Sequence, residues 1–355
     1  MRILHIVQHL HKLSGVSVFC AEACDALAQE GVEVSIAVQD ISDPNQIPSQ
    51  AGVKRFEERG LLARSTAKDW DVVHIHNLWT PVLHRGAAWA RRNRIPVVWS
   101  PHGTLSPWCF NFKRWKKFLP WHLYQKSDLR TASVIHVTST EEETWVRDTG
   151  FNQRMVNIPL GVHLPPQIPD RHNKIKTLLF VGRIAPVKAL PNLMEAWAMV
   201  KPVNWRLRIV GIQDFPGYTD SLKAQMDRLG ISNVVDFPGQ RFGEELLAEY
   251  AHADALVLPS HNENFGAVVI DALAWGLPVI TSTGTPWSEV ENIGCGWWVD
   301  NSPSKLAEVL RVLCSLPGQK RKMMGERGRR FVAQRYTWQI VARKLKGVYE
   351  SLVCR

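Results

Sequence analysis

The sequence predicts an α/β protein built from two doubly wound parallel-sheet domains, and three observations predict it. At 355 residues the chain is long enough for two ordinary domains, each with its own core. Short apolar runs alternate with stretches of helical spacing, the pattern of parallel strands joined by crossover helices. Between 164 and 174 that periodicity stops at Pro165, Pro166, Pro169, Asp170 and Asn173, which reads as a linker between domains of 1–165 and 166–335.

Bulk properties narrow the class. Lys and Arg outnumber Asp and Glu by 43 to 33, a formal charge of +10 that calls for an anionic partner. Nucleic acid, acidic lipid head groups and phosphorylated substrates all qualify on charge alone. No apolar run approaches the roughly 18–20 residues of a membrane span. Residues 1–7 are too soon interrupted by Gln8 and His9 to be a signal peptide, so a cytoplasmic protein is expected. Cys20, Cys24, Cys109, Cys295, Cys314 and Cys354 show no paired-ligand spacing and read as reduced, mostly buried thiols.

Residues 2–7 form a first apolar strand, 16–30 an amphipathic helix ended by Gly31, and 32–38 a second strand: a βαβ start. The loop between them holds Ser14-Gly15 and lacks G-x-G-x-x-G, so no dinucleotide fingerprint is present. Asp69-Trp-Asp71 is a lone D-x-D leading straight into the strand 72–76, and its acids are expected to end the preceding segment. His74 and His76 lie two apart on that strand, hence on one face. They could be a metal pair; without Cys or carboxylate partners at matching spacing, packed histidines are expected. Asn77 and Trp79 follow at the strand's carboxyl end. Strand 96–100 ends in Pro101-His102-Gly103, where a His is well placed to meet a ligand. Residues 108–126 interleave Trp108, Phe110, Phe112, Trp115, Phe118, Trp121 and Tyr124 with Lys113, Arg114, Lys116, Lys117 and Lys126. Such a segment suits a core helix with a basic edge, a membrane-interface helix or a single-strand nucleic-acid surface. After strand 132–138, Ser139 and Glu142 have capping-box spacing.

The second half is more regular. Strand 178–181 runs into Gly182, Arg183 and Lys188, then a helix through Val200; further strands lie at 207–210, 234–237, 255–258 and 279–281, with a helix at 244–253 between them. Two cations in a βα loop can converge on an anion that a helix start also attracts. The most informative stretch is 259–276. After the apolar run 255–258 and Pro259 come Ser260, Glu263, Asn264, Phe265 and Gly266, then helical spacing that carries Asp271 and stops at Gly276. Glu263 therefore lies in a loop after a strand, and Asp271 about a turn and a half into the following helix. The helix start at Gly266-Ala267 offers free N–H groups and a positive dipole end, a seat for phosphate.

This stretch closely resembles the E-x7-E signature of retaining glycosyltransferases of family 4, the GT-B fold, with Asp271 in place of the second Glu. Pro259-Ser260, Asn264-Phe265-Gly266 and residues 274–280 match as well, as does Gly182-Arg183 with Lys188. The resemblance implies two Rossmann-like domains facing a cleft, and a last helix, 336–355, that returns to the first domain. It implies that Arg183 and Lys188 hold a donor's diphosphate with the Gly266-Ala267 amides, and that Glu263 orients the sugar. Asp271 would hold the ribose, Asn264 and Phe265 would complete the donor loop, and His102 would contact the sugar. Gly15 would let the donor and acceptor approach, and Asn77 and Trp79 would face the acceptor. The implied reaction is retaining hexosyl transfer from a nucleotide diphosphate sugar to an acceptor hydroxyl, without cofactor or metal. A glycan or lipid-linked acceptor in surface polysaccharide or lipopolysaccharide synthesis would follow, with 108–126 as a peripheral contact on the inner membrane face and no nucleic-acid partner. A sugar-nucleotide epimerase of the same fold, or a non-catalytic binder of nucleic acid or acidic glycan, are the competing readings.

Overall fold

The computed structural model describes residues 1–12, 14–42, 47, 52–151, 153–171, 173–213 and 215–354. It divides into two units, Met1–Gly161 with Trp338–Arg355, and Val162–Thr337. These divisions fall a few residues from the expected 165/166 and 335/336.

The first unit holds a seven-stranded sheet. Its strands are β1 Arg2–Ile6, β2 Glu33–Val38, β3 Val53–Glu57, β4 Val72–His76, β5 Val97–Ser100, β6 Val134–Val137 and β7 Met155–Asn157. Their order is β3-β2-β1-β4-β5-β6-β7 and every pairing is parallel. All five residues of β4 are buried, as expected for a parallel strand covered on both faces. Helix Gly15–Gln29 starts on the Ser14 hydroxyl, which accepts the Ser17 N–H at 3.3 Å, and buries Phe19, Cys20, Cys24 and Leu27. Helix Trp338–Val353 lies beside it and shares its core through Val341, Leu345 and Tyr349. The opposite face is closed by helix Pro81–Arg92 around Trp99. The stretch 41–61, where the sequence gives least, contributes β3 and the start of helix Glu58–Arg64, while 43–46 and 48–51 lie outside the described residues.

The second unit holds a six-stranded sheet of β8 Lys176–Val181, β9 Trp205–Val210, β10 Val235–Gly239, β11 Ala255–Leu258, β12 Val279–Ser282 and β13 Gly296–Val299. The order is β10-β9-β8-β11-β12-β13, again all parallel. In each sheet the strand order reverses once, between β1 and β4 and between β8 and β11. Loops after those strands are where doubly wound sheets bind ligands.

Residues 108–126 are not one helix. Lys113 sits at φ 51 between helices Pro107–Asn111 and Arg114–Pro120. Pro120 offers no N–H to the ladder, and the chain continues as a π-helical turn, Trp121–Gln125. The aromatics divide accordingly. Phe110 and Trp121 turn inward around Trp79, whereas Trp115, Phe118, Leu119 and Leu123 are exposed, with Lys113 and Lys116 over Phe112 and Trp115. Among the described residues no helix is long and apolar enough to cross a membrane.

Candidate functional site

In the second unit, the loops after β8 and β11 meet at the reversal of strand order. Strand β11 ends at Leu258, and the loop from Pro259 to Gly266 leads into helix Ala267–Ala274. Gly266 stands at φ 77 as the residue before that helix, a left-handed conformation that costs a side-chain-bearing residue about 1–2 kcal/mol. The loop is tied to both neighbours. His261 N–H donates to the Val187 carbonyl at 2.8 Å, and Glu263 N–H donates to the Gly284 carbonyl at 2.9 Å. Gly284 has no room for a side chain, since a Cβ would lie 2.4 Å from the His261 oxygen and 2.6 Å from that of Ser260. Phe265 is buried edge-to-face on Trp287 at 5.2 Å, and Trp287 Nε1 donates to the Phe265 carbonyl.

This scaffold holds Glu263 against Lys188. The lysine ends the short 3-10 turn Pro186–Lys188 after β8, and its Nζ donates to Glu263 Oε1. The same oxygen accepts from Ser260 Oγ at 2.7 Å. Both charged side chains are mostly withdrawn from solvent, 14% and 13% exposed. Gly182 and Arg183 precede them in the loop, Arg183 exposed. Asp271 sits in the helix with Tyr250 Oη 3.5 Å from its Oδ2; burial, helped by that carboxylate, pushes the Tyr250 hydroxyl well above its usual range. Sequence spacing thus put Glu263, Arg183 and Lys188 in this loop pair and Asp271 in the helix that follows. It did not show the Ser260 bond to Glu263 within the loop, nor Gly284, whose constraint arises from the tertiary approach of β11 and β12.

In the first unit, the loops after β1 and β4 also meet. A cavity of about 430 Å³ is lined by Gln8, His9, Ser14, Val16, Ser17 and Asn77, among others, bringing the Gly15 loop beside Asn77. A Cβ at Gly15 would meet nothing within 4 Å, so no neighbour requires a glycine there. Trp79, expected on the acceptor side, is packed into the aromatic segment. Its backbone is clamped by Gln125 and Tyr124 at 2.8 Å each, and its ring packs against Phe110 and Trp121, so it is committed to the aromatic segment. His102 has φ 53, is half-buried, and packs on Phe19 at 5.1 Å with Nε2 3.0 Å from His76 Nδ1. Burial, with His76 and His136 nearby, holds His102 well below the usual imidazole value, hence neutral. The buried Glu142 does more than cap its helix. Besides its N–H to Ser139 Oγ at 3.0 Å, its carboxylate accepts from Thr138 N–H at 2.8 Å and from the Gly103 N–H, fixing the His102-Gly103 turn. Asp69 accepts from the Thr66 N–H three residues earlier, and Asp71 accepts from the Arg2 N–H at the start of β1.

Two family models match the chain: Glycosyltransferase Family 4 over residues 13–164 and Glycosyl transferases group 1 over residues 166–331. A D-inositol 3-phosphate glycosyltransferase of Kineococcus radiotolerans is 32% identical, over 96% of this chain and 91% of its own length. Among solved structures, Anabaena HepE in complex with UDP and glucose superposes with a TM-score of 0.80 at 20% identity, covering 99% of this chain and all of its own. WaaG, a glycosyltransferase involved in lipopolysaccharide biosynthesis, superposes at 0.73 with 16% identity, covering 96% and 98%. The last two likenesses concern the fold.

Proposed function

The chain belongs to the group 1 glycosyltransferases, of GT-B type, and on that premise we propose that it is a metal-independent, retaining transferase. It moves a hexosyl group from a nucleotide diphosphate sugar to a hydroxyl of a glycan or lipid-linked acceptor. The observation that carries this reading is the Lys188–Glu263 pair, held with Ser260 where the loops after β8 and β11 meet. Cleaving the glycosyl–phosphate bond leaves extra negative charge on the diphosphate, and cations and amides fixed in advance lower that barrier. Lys188, Arg183 and the N–H groups opening helix Ala267–Ala274 supply them, next to Gly182. Glu263 accepts bonds from sugar hydroxyls, and Asn264, Phe265 and Gly266 shape the wall around it. Asp271, one methylene shorter than Glu, reaches the ribose directly or through a water. From the first unit the proposal draws His102 as a hydrogen-bond partner of the sugar, and Gly15 and Asn77 on the acceptor side.

HepE's complex with UDP and glucose supports a nucleotide-sugar donor, and WaaG's role supports surface-glycan chemistry. Exposed Trp115, Phe118, Leu119 and Leu123 beside Lys113 and Lys116 support peripheral membrane docking on the cytoplasmic face. The test is acceptor-dependent release of nucleotide from UDP-, GDP- and ADP-sugars, with the product's anomeric configuration read by NMR. Release only with acceptor and with retained configuration supports the proposal. Epimerised donor without acceptor, or no turnover, would favour the competing readings.

A further inference from the structure

The core of the first unit contains an unusual set of buried polar rings. His5 of β1, His74 and His76 of β4 and His136 of β6 are all fully buried, and Cys20 and Cys24 of helix Gly15–Gln29 are buried against them. One half of this set is satisfied by its own hydrogen bonds. His136 Nε2 donates to the Ile158 carbonyl at 2.8 Å, so its Nδ1 accepts from Ser100 Oγ at 2.7 Å. Ser100 in turn accepts from His74 Nε2 at 2.7 Å, and His74 Nδ1 accepts from Tyr349 Oη at 2.7 Å.

The other half is less complete, although the Cys20 thiol interacts with His5, His76 and Cys24. His5 Nδ1 lies 2.9 Å from His76 Nε2, and His76 Nδ1 lies 3.0 Å from His102 Nε2, a line of three imidazoles. At its inner end His5 Nε2 is buried with no hydrogen-bond partner. A buried ring nitrogen without a partner costs about 1–3 kcal/mol, so its orientation calls for a ligand. The ligand atoms of His5, Cys20 and Cys24 all lie within 4.8 Å of one another; with Nδ1 turned to His76, Nε2 is the His5 nitrogen open to a metal. Around a tetrahedral zinc ion such atoms stand roughly 3.3–3.8 Å apart, so the widest of these separations would close by up to about 1 Å on binding.

We propose that His5 Nε2, Cys20 Sγ and Cys24 Sγ form a buried site for one Zn2+ ion, and that its binding fixes the tautomer of His102. Two thiols lose their protons to solvent as the Zn–S bonds form, so a dication with two thiolates and a neutral imidazole buries no net charge. A monovalent soft ion would leave one negative charge buried, which disfavours it. Metal on Nε2 leaves the His5 proton on Nδ1, donated to His76 Nε2, the arrangement usual for a metal-bound imidazole. The His76 proton then sits on Nδ1 and is donated to His102 Nε2, so His102 carries its own proton on Nδ1. His5 and His76 are positioning residues in this scheme. The inference stands without the transferase reading, which only gives the His102 proton its use.

The test uses tag-free protein saturated with Zn2+ and dialysed, with metal counted by mass spectrometry, a Co2+-exchanged sample for its spectrum, and 15N-histidine NMR. Expected are about one zinc per chain, a thiolate-to-cobalt charge-transfer band in the near ultraviolet, and His102 protonated at Nδ1. Cys20→Ser and Cys24→Ser lose the ion and the band while circular dichroism is unchanged; Cys314→Ser, in the other unit, keeps both. Wild-type protein that retains no zinc after saturation, or zinc retained by both cysteine variants, overturns the site. Zinc bound with His102 protonated at Nε2 overturns the tautomer link.

Discussion

Glu263→Gln removes one negative charge from beside Lys188 at nearly constant size. In the free protein the carboxylate holds the ammonium, and a donor's diphosphate has to share it. A carboxylate and a phosphate charge roughly 5–6 Å apart repel by about 3 kcal/mol at an effective dielectric near 20, reduced to roughly 1–1.5 kcal/mol by residual solvent and salt. The pair is only 14% and 13% exposed, so that residue of repulsion survives. Calorimetric binding of the preferred nucleoside diphosphate is therefore expected to tighten by about tenfold. Transfer should move the other way. Losing a charged acceptor for sugar hydroxyls costs about 1.5–3 kcal/mol, a fall of roughly 10–150-fold in kcat/KM. The reasoning is refuted if Glu263→Gln weakens nucleotide binding while transfer is untouched.

Gly284→Ala would drive a Cβ to 2.4 Å from the His261 oxygen, displacing the loop that carries Glu263. A loss of about 1–3 kcal/mol in stability and a larger loss of transfer are expected; a thermal melt and activity indistinguishable from wild type would contradict the geometry. Acid should weaken the first unit through His136. Burial, partly opposed by its bond to the Ile158 carbonyl and reinforced by His76 and His5, holds its pKa at about 4, with Ser100 and the His74 ring also against it. The unfolded chain takes up the proton first as pH falls, so stability is full above about 6.5 and is lost progressively towards 4, by about 3 kcal/mol. Urea unfolding at pH 7.5, 6 and 4.5 measures this; a flat profile, or one unchanged in His136→Gln, would show the assignment wrong.

The second unit was the more legible half because its strands are short apolar runs bounded by Gly and Pro, and its charged loop residues follow them directly. Arg183, Lys188 and Glu263 can be placed from spacing alone, since each lies in the loop just after a strand, and Asp271 from the helical spacing that follows Gly266. Their mutual contact is a matter of strand order, and nothing local predicts that β11 lies beside β8. Gly284 is invisible for the same reason: its constraint comes from a backbone more than twenty residues earlier. β3, Val-Lys-Arg-Phe-Glu, carries too few apolar residues in series to stand out. The 108–126 segment misleads through composition. Its period suggests one amphipathic helix, but Lys113 and Pro120 divide it, and Phe110 and Trp121 belong to the core around Trp79. Cys20 and Cys24 show no ligand spacing with any histidine in sequence; only the packing of helix Gly15–Gln29 on β1 brings them to His5.

The measurement that tests the account most directly is calorimetric titration of the protein with UDP, GDP and ADP, repeated on Lys188→Ala. The account predicts that one nucleotide binds in the micromolar range and that the variant loses roughly 10–100-fold, from the missing charged bond and the unpaired Glu263 left behind. Absence of binding to all three, or equal binding by the variant, would contradict it.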